Sequence, residues 1–321
     1  MAKTINKFTF YGGARGEYNL RELTARDPGG SANVYDPTFY LLPSLNVAYN
    51  MNLRSLLRFA YGMTINRPEF REQASFSYYD FIENAAIRGN NALRTASIHN
   101  LDMRYEFYPN PTELISFGVF YKHFINPIET IIQSGSGSSP IYNFDNAQKA
   151  DNIGIETEIR KSLLDVSDSK FLQNHSLVLN ASLIRSRVDL GDNNNVASGD
   201  RVRALMGQSP YIINDGWYYQ NDDNGWQYSL LYNVLGKRIY RVGSSDTNPT
   251  MYEMPRNVID LSVTKNFKNG LQLKAGLQDI LNQASHFIQD SNYDGKITDI
   301  DDTVRKYKRG TYFTIGLNYN F

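Results

Sequence analysis

Cysteine is absent from the 321 residues and tryptophan occurs only twice. Without cysteine there are no disulfides, no thiolate metal sites and no thiol nucleophile, although the redox compartment stays open. Charge of one sign is also missing. With 33 basic and 33 acidic residues, the chain is no strongly cationic binder of nucleic acid. Mean hydropathy is −0.47, and no apolar run reaches the roughly 18 residues that a membrane helix needs, which excludes a helical membrane protein. A transmembrane barrel survives that test, because its strands show lipid only at every second residue. The opening Met1-Ala2-Lys3-Thr4-Ile5-Asn6-Lys7-Phe8 carries charge but no apolar stretch and no cleavage site, so no signal peptide is expected there. Catalysis is not expected either. His99, His123, His175 and His286 are the four histidines, they lack metal-ligand spacing, and no G-x-S-x-G segment accompanies them.

Aromatics, by contrast, are plentiful, with 23 tyrosines and 17 phenylalanines. The strongest pattern is a two-residue alternation that returns roughly every 25 residues, as strands with one apolar face require. Leu57, Phe59, Tyr61, Met63 and Ile65 alternate with Arg58, Ala60, Gly62, Thr64 and Asn66. Leu101, Met103, Tyr105 and Phe107 interleave with Asp102, Arg104 and Glu106. Ile115, Phe117, Val119 and Tyr121 form a third apolar series, and Ile153, Ile155 and Ile159 oppose Glu156, Glu158 and Arg160 in a fourth. Trp226, Tyr228, Leu230, Tyr232 and Val234 continue it, then Ile259, Leu261 and Val263, then Leu271, Leu273, Ala275 and Leu277.

A soluble sandwich would also alternate, but two features favour a membrane wall. The apolar faces end in Tyr or Phe near strand ends, as membrane girdles do. The connections also alternate in length. Short turns lie at residues 50–52, 109–111, 221–225 and 268–270, with a longer one at 163–174; long connections are expected at 68–94, 126–143, 189–201, 243–252 and 282–310. Tight turns at one end and long loops at the other mark outer-membrane barrels. About twelve strands are expected, from near Phe8 to Phe321. In the last, Phe313, Ile315, Leu317, Tyr319 and the terminal Phe321 share one apolar face, similar to the signal by which outer-membrane barrels are recognised for assembly.

Several stretches resemble TonB-dependent outer-membrane receptors, particularly the subgroup with an N-terminal carboxypeptidase-regulatory-like domain. They are Leu42-Pro43-Ser44-Leu45, Asn66-Arg67-Pro68-Glu69-Phe70-Arg71-Glu72, Gly207-Gln208-Ser209-Pro210-Tyr211, Tyr232-Asn233-Val234-Leu235-Gly236-Lys237-Arg238, Tyr252-Glu253-Met254-Pro255-Arg256 and Gly276-Leu277-Gln278-Asp279-Ile280-Leu281-Asn282. Each is weak alone; their order and spacing cover most of the chain. The resemblance implies an all-β antiparallel barrel of about 22 strands, filled by an N-terminal plug. It implies energised uptake of an iron-siderophore, cobalamin or a glycan across the Gram-negative outer membrane. The implied partners are outer-membrane lipid, the barrel assembly machinery, the TonB complex acting through the plug, and the nutrient, with no nucleic acid. Residues 1–321 then read as the C-terminal segment of such a barrel, with plug and signal peptide absent and Met1 in doubt as a true start. A complete small barrel acting as a passive pore or translocator is the alternative, and a structural or adhesive surface barrel is a third.

Three sets of residues are candidate sites. Asp290, Asn292 and Asp294 occupy positions one, three and five of a calcium loop, Gly295 the sharp turn, Lys296 the carbonyl position and Asp301 position twelve, where Asp replaces the usual Glu. Hard oxygen ligands at alternate positions converge on one cation as such a loop wraps it; the bland reading is an acidic loop that binds nothing. No other cofactor is required. Phe76, Tyr78, Tyr79 and Phe81 in a long loop are placed either to stack on a nutrient or to close the loop onto the rim. Arg58, Asp102, Arg104, Glu106, Lys122, Glu156, Glu158, Arg160, Asp260 and Lys274 are expected on the lumen face. Asp215 breaks the pattern by falling in phase with Tyr211, Ile213, Trp217 and Tyr219 on the lipid face; rim hydration or a register change at Gly216 would account for it.

Overall fold

The computed structural model describes residues 2–27, 30–133, 140–164, 166, 168–190, 202–243 and 248–319. The chain opens with β1 (Ala2–Ile5), β2 (Phe8–Asp27), β3 (Gly30–Asn50) and β4 (Ser55–Asn66). A one-turn helix α1 (Phe70–Gln73) and two short strands, β5 (Ser77–Asp80) and β6 (Ala85–Arg88), precede β7 (Ala96–Phe107) and β8 (Leu114–Ile125). Strands β9 (Ile128–Gln133) and β10 (Ile141–Asn146) lie in the connection to β11 (Lys149–Ser162), and α2 (Lys170–Gln173) leads into β12 (His175–Asp189). Next come β13 (Tyr211–Asn221), β14 (Trp226–Leu235), β15 (Arg238–Arg241), β16 (Met251–Glu253), β17 (Arg256–Asn266), β18 (Leu271–Gln278), β19 (Ser285–Gln289), β20 (Asp302–Tyr307) and β21 (Tyr312–Tyr319).

Thirteen of these strands make one antiparallel wall in the order β1-β2-β3-β4-β7-β8-β11-β12-β13-β14-β17-β18-β21. Each pairs with its predecessor and its successor in the wall, the up-and-down arrangement that short and long hairpins in alternation build. The twelve strands expected from Phe8 onward are all present, and the short β1 adds one before them. Among the described residues no ladder joins β1 to β21, so the wall is an open sheet.

Pairing carries the two-residue alternation from strand to strand, because residues directly opposite in antiparallel pairs share a face. Leu177, Trp217, Leu230, Leu261, Leu277 and Phe313 stand opposite one another in one apolar row across six strands. On the other face Glu106, Ser116, Glu158, Asn180, Asn214 and Asn233 form an equally continuous polar row. A one-residue slip in any strand would exchange these faces, so the row pattern fixes the register.

At the short-turn end an aromatic girdle is visible. Phe171 and His175 have ring centroids 4.7 Å apart, His175 and Tyr219 4.9 Å, and Tyr219 and Tyr228 5.2 Å. The long connection of residues 163–174 supplies part of it, since α2 places Phe171 over His175. Gly225 closes the β13–β14 turn at φ 70°, a left-handed conformation that costs any residue with a Cβ. A Cβ there would also drive into the carbonyl oxygen of Asn266, whose N–H donates to the Gly225 carbonyl at 2.8 Å. Gly225→Ala is therefore expected to cost about 1–3 kcal/mol through backbone strain. Urea titration of the full-length barrel in lipid vesicles checks this; an unchanged midpoint would show that the turn relaxes freely.

The long-loop end departs from expectation. Instead of irregular loops, the connections carry two further four-stranded sheets, β5-β6-β10-β9 and β15-β16-β19-β20. A parallel bridge between Ile131 and Val242 ties them together, with the Ile132 N–H donating to the Val242 carbonyl at 2.8 Å and the Val242 N–H to that of Thr130 at 2.9 Å. The connections also run longer than expected, reaching Gln148, Pro210 and Pro255 before β11, β13 and β17 begin. The buried apolar core lies largely here. Ala85, Ile87, Ile132, Tyr142, Met251 and Phe287 gather from both sheets, and Ile239, Val242 and Tyr252 form a second cluster. Burying side chains of this size is worth about 1.5–3 kcal/mol each, enough to make the layer cohesive.

Candidate functional site: the polar face and the long-loop layer

All ten charges expected on the lumen face do lie on one face of the wall. Arg58 stands opposite Arg104, Arg104 opposite Gly118, and Gly118 opposite Glu156. The same pairing chain leads from Arg160 through Val178, Gly216 and Leu231 to Asp260. Several are satisfied by one another. Arg58 Nε donates to Glu106 Oε1 at 2.9 Å, Tyr108 Oη to Glu106 Oε2 at 2.7 Å, and Arg104 lies 3.7 Å from Glu156. Asn233 donates to Asn214 at 2.6 Å, joining the amide row. The face is thus a polar surface that mixes both signs of charge. Phe120 interrupts it by lying over Gly154, where a Cβ would collide with the ring.

The long-loop layer is held by two ionic hubs. Glu83, between β5 and β6, accepts from Tyr240 Oη at 2.6 Å and from Arg305 at 3.1 Å, and Arg241 stands 3.8 Å away. Arg241 lies 4.0 Å over the Tyr240 ring and Arg305 4.3 Å over Phe287, so both guanidiniums are sandwiched between a carboxylate and aromatic faces. Burial, followed by the hydrogen bond to Glu83, raises the Tyr240 phenol above its ordinary range. The second hub is Arg203 with Glu129, a two-pronged pair at 2.7 Å on both prongs with side chains only 6% and 2% exposed. Glu129 Oε1 also accepts the Met206 N–H at 2.9 Å.

Neither hub was expected. Glu129 and Arg203 lie 74 positions apart and Glu83 and Tyr240 157 apart, and no local spacing links residues whose meeting depends on connections folding together.

The loop aromatics divide. Tyr78 is half-buried against the first apolar cluster, with Arg71 5.8 Å over its ring. Tyr79 packs edge-on to Phe81 at 5.1 Å and donates to Asn84, while Phe81 itself is 88% exposed at the hairpin tip beside exposed Ile82. Phe76 is exposed and 6.1 Å from Tyr78.

Asp290, Asn292, Asp294, Lys296 and Asp301 lie in the β19–β20 connection. Asp290 Oδ2 accepts the Gly295 N–H at 2.8 Å, Asp294 Oδ1 that of Lys296 at 2.7 Å, and Asp301 those of Ser291 at 3.0 Å and Thr298 at 2.6 Å. Among the described residues, no three His, Asp or Glu side chains are gathered closely enough to hold a metal as they stand.

On the last strand Phe313, Ile315, Leu317 and Tyr319 share one exposed face, opposite Leu277, Ala275, Leu273 and Leu271; Phe321 lies outside the described residues. Asp215 sits in mid-strand between Leu179 and Tyr232, and the ladders on both sides run through Gly216 without a shift. A register change therefore does not explain it. His99 and His123 face each other across β7 and β8 on the apolar side, near the long-loop end. His123 Nδ1 lies 2.7 Å from Asp151 Oδ1, and Tyr61 Oη 3.0 Å from His99 Nδ1.

Solved structures share this architecture. The ferric enterobactin receptor of Pseudomonas aeruginosa, in complex with enterobactin, superposes with a TM-score of 0.54 at 16% identity, over 97% of this chain and 44% of that one. The siderophore receptor PirA of Acinetobacter baumannii gives 0.56 at 14% identity over 98% and 45%, and the copper transporter OprC 0.64 at 14% identity over 99% and 47%. The chain spans less than half the length of each. No curated protein sequence matches it. Residues 1–319 match the outer membrane protein beta-barrel family, and with its lipid-compatible outer rows, aromatic girdle and asymmetric connections the chain belongs to that family, as an outer-membrane β-barrel of Gram-negative cells.

Proposed function

We propose that the chain is the C-terminal wall segment and external loop layer of a TonB-dependent receptor that takes up a scarce nutrient. The carrying observation is the polar, internally paired face beneath a folded external layer, in a wall whose two edges, β1 and β21, are unpaired among the described residues. An open wall of this kind needs further strands to close, and a plug resting on the polar face would find amides, carboxylates and guanidiniums to hydrogen-bond. The external layer supplies the cargo surface, with Phe81, Ile82 and Tyr79 at its exposed tip. Proteins of similar fold bind enterobactin or carry copper; here the cargo class is a metal chelate, cobalamin or a glycan. The outward apolar face of β21 serves recognition by the barrel assembly machinery.

Uptake assays on cells expressing the whole coding region test this. Accumulation of labelled ferric siderophores, copper, cobalamin or oligosaccharides is measured with and without a protonophore. One substrate is expected to accumulate, to stop accumulating when the proton gradient collapses, and to fall at least tenfold on deletion of residues 76–84. Solute entry that is downhill and indifferent to the protonophore would instead identify a passive pore.

A further inference from the structure

Several buried polar atoms at the long-loop end have no hydrogen-bond partner, among them a carboxylate oxygen of Asp290 in the β19–β20 connection. Asp290, at the end of β19, is 2% exposed, and its Oδ1 atom accepts no hydrogen bond although it is buried. An ionised carboxylate oxygen removed from water without a donor or a cation is costly, and native structures rarely leave one so. Its other oxygen is held by the Gly295 N–H, which turns the carboxylate toward the loop of residues 291–301. The surroundings make matters worse. Among the described residues, no cationic side chain is hydrogen-bonded or ion-paired to Asp290, Asp294 or Asp301.

We propose that residues 290–301 bind one calcium ion, with Asp290 Oδ1 as its anchoring ligand. Asn292, Asp294, the Lys296 carbonyl and Asp301 complete an all-oxygen set at the first, third, fifth, seventh and twelfth loop positions. Calcium is the cation of choice because every donor is a hard oxygen and the loop supplies several of them from flexible side chains. The backbone is already curved for this purpose, with Gly295 at φ 74° at the sixth position. Binding requires Asp294 and Asp301 to swing from the N–H groups of Lys296, Ser291 and Thr298 onto the ion, a short rearrangement within the loop. The ion would then brace the β15-β16-β19-β20 sheet. Asp290 donates its N–H to the Thr250 carbonyl at 3.0 Å, and Ile297 packs on the Ile239, Val242 and Tyr252 cluster. A cation held between those points would fix β19 and β20 against β16.

The test uses the full-length receptor in detergent, stripped of divalent ions with EGTA. Lys296 is exposed and its carbonyl is a proposed ligand, so cleavage by endoproteinase Lys-C after Lys296, followed by mass spectrometry, reports on this loop alone. Calcium at 1 mM, on the order of the affinity of extracellular modules, is expected to slow that cleavage at least tenfold, and magnesium at the same concentration is expected not to. Asp290→Asn should abolish the protection, whereas Asp301→Glu, which restores the usual twelfth ligand, should keep or strengthen it; heat-modifiable gel mobility confirms that each variant is folded. Terbium luminescence sensitised by Tyr293 gives an independent readout. Equal cleavage with and without calcium, protection by magnesium alone, or undiminished protection in folded Asp290→Asn would each overturn the proposal.

Discussion

Arg203→Met is expected to destabilise the external layer by about 3–5 kcal/mol, the cost of leaving one member of a buried ion pair without its partner. The reason lies with Glu129. Its carboxylate is 2% exposed, receives both prongs of the Arg203 guanidinium at 2.7 Å and keeps only the Met206 N–H once they are gone. Water cannot reach the stranded oxygen without opening the contact between the β8–β11 and β12–β13 connections. The pair itself contributes less than this figure suggests, because bringing both ions out of water offsets much of their attraction. The double variant Glu129→Leu with Arg203→Met should therefore recover most of the loss. Limited proteolysis of intact cells, where the proposed topology leaves only the long-loop layer accessible, checks both statements. Arg203→Met should be cut in residues 202–210 far faster than the parent, and the double variant should approach the parent. If the single variant resists protease as the parent does, the pair does not hold the layer.

The wall was legible from sequence because each strand is a local pattern. Leu57 to Ile65, or Leu271 to Leu277, declares its faces without reference to any other strand, and pairing only carries those faces sideways. Short turns announced themselves through Asn, Asp, Gly and Pro, as at Asn269-Gly270, where Gly270 has φ 83°. The external layer was not legible for the opposite reason. Ile131, Ile132 and Tyr142 look like stray apolar residues in a loop, and become core only when the β14–β17 and β18–β21 connections fold beside them. Likewise Glu83 reads as one acid among many until Tyr240 and Arg305, from connections far along the chain, are brought to it. The calcium loop lies between these cases: its spacing is local and was visible, whereas the orphaned oxygen of Asp290 needed the structure. Asp215 stands out from the sequence alone as a charge on the apolar face, and the unbroken ladders exclude a shift at Gly216.

Two adjacent residues, Leu230 and Leu231, provide the sharpest test of which face meets lipid. Both are equally exposed at 40% in the middle of β14, so accessibility does not distinguish them. Their rows do. Leu230 stands between Trp217 and Leu261 in the apolar row, and Leu231 between Gly216 and Asp260 in the polar one. Leu230→Arg puts a guanidinium at mid-depth in hydrocarbon and is expected to cost about 2–4 kcal/mol. Leu231→Arg meets water and the Asp260 carboxylate and is expected to cost well under half of that. Asp215→Leu completes the comparison, since it removes a charge from the apolar row beside Leu179 and Tyr232 and should raise stability, by less than Leu230→Arg lowers it because acids cost less than bases in this setting. Urea midpoints of the full-length barrel in phosphatidylcholine vesicles order the three variants. Should Leu231→Arg prove the more damaging of the two arginine variants, the faces are reversed, and the charged row proposed to meet a plug would instead be facing the membrane. That outcome would conflict with solvation energetics at all ten charged positions at once, since pairing fixes them to one side.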